Sequence, residues 1–128
     1  MSGGLITPRS AIAVAIDVLR PIFASTVPIA SRAPTTLPAR FVRVSRVGGQ
    51  KDWALDRPMI LVECFAQDDA EAPDSVAAEE MALTAYTALE VSRVPVYWEG
   101  GALAELDHPD YPRHSRFQFT GTLGVAVF

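Results

Sequence analysis

Cys64, the only cysteine of the chain, and the run Asp107, His108, Asp110 and His114 are the residues whose types could perform covalent or metal chemistry. A thiolate nucleophile needs an imidazole base and a carboxylate that orients it. Cys64 with His108 or His114 and Asp107 or Asp110 supplies those types. No local signature joins them, and Cys64 lies inside the apolar run Met59 to Phe65, where burial raises a thiol pKa and leaves the group inert. The expectation is a core cysteine. Asp107, His108, Asp110 and His114 also suit a divalent metal by ligand type. Their spacing fits no compact site, and Pro109 and Pro112 interrupt it, which predicts a solvated loop. Gly48-Gly49 before Lys51 lacks the G-x-x-x-x-G-K-[ST] pattern of a phosphate loop and leads toward a strand, not a helix. These glycines read as a turn. No catalytic residue, metal or cofactor is assigned.

The remaining candidates are contact residues. Arg43 and Arg46 interrupt the valines of FVRVSRV; such charges face DNA or an acidic neighbour, or guard an edge strand against aggregation. Gly48 to Arg57 reads as a ten-residue loop carrying Lys51, Asp52, Trp53, Asp56 and Arg57. It is too long for a tight hairpin turn, and long loops are often functional, so it is the expected docking element. Trp53 and Trp98 are either interface anchors or parts of their own core.

The elements that must position these residues follow from periodicity. Thr7-Pro8 is a helix start with a capping hydroxyl and a proline at the first helical position. Ile12, Ala15, Ile16, Leu19 and Phe23 then share one face until Pro21 ends or kinks the helix. Val27 to Arg32 reads as a short strand and Ala33 to Ala39 as an extended connector. Phe41 to Val47 fits a half-exposed strand, and Met59 to Phe65, opening at Pro58, a strand covered on both faces. The acids Asp68, Asp69, Glu71 and Asp74 precede a second helix and complement its dipole. Ala78, Met81, Ala82, Ala85 and Leu89 give that helix one narrow apolar face. Pro95 to Trp98 reads as a short strand, Glu99 to Arg113 as a polar loop that orders on assembly, and Ser115 to Val127 as one long strand of about 40 Å, with Gly121 and Gly124 at bends or bulges. The order is α-β-β-β-α-β-β, an α+β chain of about five strands and two helices.

The 128 residues are enough for one self-sufficient core, so residues 1–128 are expected to form a single domain. An apolar content of 49% against 20% charged residues leaves room for a subunit interface. A net charge of −4 argues against a protein that grips nucleic acid through phosphates. The lone cysteine suits a reducing cytosol. Ala11 to Leu19, the longest apolar run, contains Asp17 and is far short of a membrane span, and no secretory signal pattern opens the chain.

In order along the chain, Val27-Pro28, the strand Phe41 to Gly49 (FVRVSRVGG), a polar loop, Asp56-Arg57-Pro58 and then Glu63-Cys64-Phe65 in an apolar strand form a series. With the amphipathic first helix, the alanine-rich second helix and the long last strand, this series resembles the tail terminator, or tail completion, proteins of long-tailed bacteriophages, especially those of actinobacterial phages. The resemblance spans most of the chain. It implies a mixed, largely antiparallel sheet packed with helices and a homo-oligomer, a hexameric ring on the head-proximal end of the tail tube. Such a ring stops tube growth, contacts the tail tube protein and presents a surface to the connector proteins of the neck, while DNA passes through its lumen without specific binding. A ring of this kind is a heterologous interface closed by rotation. Within it, Arg43, Arg46, Lys51, Asp52, Trp53, Asp56, Arg57 and Trp98 are the expected contact residues. A head–tail connector or head-closure protein shares the same size and charge, and a small cysteine-dependent enzyme is the alternative from a different class.

Overall fold

The computed structural model describes residues 9–51, 55–92 and 97–126. Helix α1 spans Ala11–Leu19, and the Ser10 hydroxyl caps it by accepting the Ala13 N–H at 3.3 Å. The helix therefore begins three residues later than the Thr7-Pro8 pair suggests, and that pair lies outside the described residues. Strand β1 (Ile29–Ala30) follows, and then two strands of 12 residues each, β2 (Arg40–Lys51) and β3 (Leu55–Ala66). Helix α2 (Ser75–Val91) is capped by Asp74, whose carboxylate accepts the Ala77 N–H at 3.0 Å. Strands β4 (Tyr97–Gly100), β5 (Ala104–Glu105) and the 12-residue β6 (Ser115–Ala126) complete the order. The sheet is mixed and mostly antiparallel, as expected for an α+β chain; β5 is a small addition inside the stretch read as a loop.

Across the sheet the order is β1-β2-β3-β6-β4, with β5 also on β6. Only β1 with β2 is parallel. Strand β3 sits at the centre because it is flanked by long partners on both sides: Phe65 pairs with Phe41 in β2 and with Arg116 in β6. Strand β6 carries no register shift against β3, so its glycines are not bulges. Gly121 instead makes room for a ring: a Cβ there would collide with the indole of Trp98.

Residues alternate between the two faces of a strand. Both helices cover one face, where Val42, Val44, Ile60, Val62, Cys64, Phe119 and Leu123 meet Val14, Leu19, Ala78, Met81, Ala85 and Leu89 in one buried cluster. The small side chains of α2 let it lie close to the sheet, and all five residues of its expected apolar face are buried. The second face carries Phe41, Arg43, Ser45, Leu61, Glu63, Phe65, Arg116 and Gln118. At one end of that face the chain from Leu106 to His114 folds over it, with Leu106 and Arg116 exchanging backbone hydrogen-bonding groups and side chain. No helix among the described residues is long and apolar enough to cross a membrane.

The segment expected as a ten-residue loop is instead mostly strand. Gly48, Gly49, Gln50 and Lys51 pair with Met59, Pro58, Arg57 and Asp56, after a register shift between Arg46 and Gly48. The extra residue, Val47, is a bulge that lets the ladder resume. Gly48 and Gly49 have φ of +151° and +103°, values that side chains disfavour, and a Cβ on Gly49 would meet the Arg57 carbonyl oxygen and the Met59 amide. The hairpin connection shrinks to residues 52–54, which lie outside the described residues.

Candidate functional site

The strongest concentration of charge in the described chain lies on the second face of the sheet. Glu63 is the only charged residue in the apolar end of β3, and its side chain is 1% exposed. Register places Arg43 directly across from it in β2. The Arg43 guanidinium donates through Nε to Oε1 at 2.8 Å and through Nη2 to Oε2 at 3.1 Å, a two-pronged pairing. From the other side, Arg116 Nη1 donates to Oε2 at 2.6 Å while its Nε donates to the Leu106 carbonyl at 2.6 Å. One carboxylate thus holds two guanidiniums, and one of those also ties the covering segment to the sheet. The Glu63 hydrogen bond, outweighing the opposing effect of burial, pushes the Arg43 pKa further above its ordinary value.

Beside this network is an aromatic group. Phe41 and Phe65 stack with ring centres 4.4 Å apart. Tyr111 meets both edge-on at 5.8 and 5.2 Å, an arrangement that the ring quadrupoles favour. His108 lies 4.8 Å from Tyr111. His114 packs against Phe41 at 5.3 Å and its Nε2 donates to the Pro38 carbonyl at 2.8 Å, since a carbonyl only accepts. The stretch from His108 to His114 is therefore bound to the sheet within the single chain, whereas a loop that becomes ordered only on assembly was expected.

Cys64 is wholly buried on the opposite, helix-covered face. Burial first, and the charge of Glu63 second, push its thiol far above the ordinary value of 9.0. The sheet itself separates this sulfur from His108 and His114, so the nucleophile, base and carboxylate do not meet. Among the described residues no group of three or more His, Cys, Asp or Glu side chains converges as metal ligands.

The expected contact residues are dispersed. The Arg43 side chain is 25% exposed and is committed to Glu63, so its charge serves the protein's interior. Arg46 is exposed, and its Nε donates to the Gly48 carbonyl at 3.1 Å, bracing the bulge. Arg57 is exposed opposite Gln50 on the hairpin. Lys51 and Asp56 are register partners at the hairpin's end, and Asp52 and Trp53 lie outside the described residues. Trp98 packs edge-on to Tyr86 and Phe119, both at 5.9 Å, against the chain's own core. Glu63, Arg116 and Tyr111 are the residues that sequence reasoning missed. The available signal was Glu63 itself: a lone charge in MILVECF demands a counter-ion.

Comparison of the chain with protein-family models and with curated protein sequences finds no match.

Proposed function

We propose that this chain is a structural protein of a long-tailed phage virion, a subunit of the ring that ends the tail tube at its head-proximal end and joins the tail to the neck. The observation that carries the reading is the ordered series Val27-Pro28, FVRVSRVGG, Asp56-Arg57-Pro58 and Glu63-Cys64-Phe65. The α+β class that this resemblance implies is the class of the fold, and FVRVSRVGG lies on one strand of a hairpin whose other strand carries both Asp56-Arg57-Pro58 and Glu63-Cys64-Phe65. Glu63 gives the Glu-Cys-Phe motif a structural task, because it anchors both arginines. The separation of Cys64 from the histidines by the sheet weighs against the thiol-enzyme alternative. A net charge of −4 is compatible with a lumen through which DNA slides.

Deleting the gene from its phage and measuring tails by negative-stain electron microscopy tests this. Overlong tubes beside unjoined filled heads are the expected result. Tails of normal length left unattached would transfer the chain to the connectors or head-closure proteins, and normal particles would remove it from the neck.

A further inference from the structure

Among the described residues both borders of the sheet are open, and they differ in charge. Strand β2 pairs along its whole length with β3, yet on its other side β1 reaches only Val42 and Arg43. From Val44 to Lys51, no strand among the described residues covers that side. At the far border β4 pairs with β6 alone. An uncovered strand presents unpaired N–H and C=O groups that template pairing with another chain.

Charge separates the borders. Along the uncovered part of β2, from Val44 to Lys51, the chain contains Arg46 and Lys51 and no acidic residue, while Arg43 is neutralised by Glu63. Between Tyr97 and Glu105, the stretch that carries β4 and β5, it contains Glu99 and Glu105 and no lysine or arginine. Both acids are exposed. The β2 border is basic and the β4–β5 border is acidic.

We infer that a second copy of this chain docks head-to-tail, its β4 edge continuing the sheet beside the uncovered part of β2. The join is antiparallel: β4 runs opposite to β6, and β6 runs with β2, so a neighbour related by rotation about an axis along the strands presents β4 opposite in sense to β2. Complementary charges select this pairing over β2 with β2, where bases would face bases. Helix α2 offers an alternative acidic surface with Glu79, Glu80 and Glu90 beside an apolar groove of about 430 Å³ lined by Ile22, Leu83, Ala88 and Val91. Its backbone is already satisfied within the helix, so it cannot extend a sheet. The contact is heterologous, the kind that builds a ring, and it deepens the proposed function by naming the surfaces through which the ring's subunits meet.

Disulfide trapping tests the contact. Val47 is 50% exposed at the bulge, Glu99 is exposed on β4, and the native Cys64 is buried and unreactive. Purified Val47→Cys and Glu99→Cys chains, mixed in concentrated low-salt solution under mild oxidation, should give a covalent heterodimer at several times the yield of Val47→Cys mixed with Leu83→Cys. That yield should fall several-fold in high salt, because screening weakens exposed charge pairs. A yield no higher than that of the Leu83→Cys mixture, or no heterodimer, overturns the edge contact. The gene-deletion phenotype is independent of this outcome: overlong tails without the cross-link leave the terminator reading in place and remove the contact, and the cross-link with normal particles does the reverse.

Discussion

The two faces of the sheet are held by different physics. The helix-covered face is dry: β-branched and aromatic side chains of β2, β3 and β6 meet the alanines and Leu89 of α2. The other face buries a carboxylate between two guanidiniums, at the end over which the segment from Leu106 to His114 folds. Apolar contacts are non-directional and tolerate rearrangement, whereas the charged group depends on three side chains arriving in register. The first face therefore fails gradually under mutation and the second abruptly.

The largest effect should come from Glu63→Ala. It strands Arg43 and Arg116 near each other without a counter-charge, and losing one partner of a buried ion pair costs about 3–5 kcal/mol; urea unfolding of the purified chain measures it. A loss below that of a single core truncation would break the contrast between the faces. Next is Leu89→Ala on the dry face, which removes a fully buried side chain and should cost about 3 kcal/mol by transfer and cavity terms, with the native near-ultraviolet circular dichroism retained. Tyr111→Ala strips the edge-on ring from Phe41 and Phe65 and should cost about 2 kcal/mol. Its further signature is faster hydrogen exchange confined to the covering segment and β5.

The smallest effect is a pH dependence. The folded chain holds the Cys64 proton more tightly than the unfolded chain does. Stability from this group is therefore fully present below the ordinary thiol value of 9.0 and declines as pH rises above it, by about 1.4 kcal/mol per unit, because only the unfolded state releases the proton. Denaturation series from pH 7 upward, with Cys64→Ala as reference, should show the slope only in the native sequence. The same slope in both chains would assign it to another group.

How much was legible in the sequence follows the same division. The face of α2 and the alternation of β6 are periodic, and periodicity reports burial directly. The hairpin was hidden because Gly48, Gly49, Asp56 and Pro58 are turn-prone types, and their strand state comes from the pairing of β3 with β2 and β6 plus one bulge. Tertiary pairing overrides such local preferences. The charged network joins residues 20 and 53 positions apart, a proximity that no local pattern encodes. Trp98 shows the reverse: an aromatic residue that suggests a contact surface is used internally, because Gly121 leaves space for its ring.

The central place of β3 also sets a timetable for folding. Its first partner, β2, lies just upstream, so that hairpin closes a short loop and can zip early. Its second partner brings Arg116 from 53 residues away, across a connection that contains α2. Until β6 arrives, Glu63 holds only one of its two guanidinium partners and one flank of β3 is bare, an interval in which intermolecular strand pairing competes with completion of the native sheet. Substitutions that slow the docking of β6 should consequently lower the yield of recovered protein more than they lower its equilibrium stability.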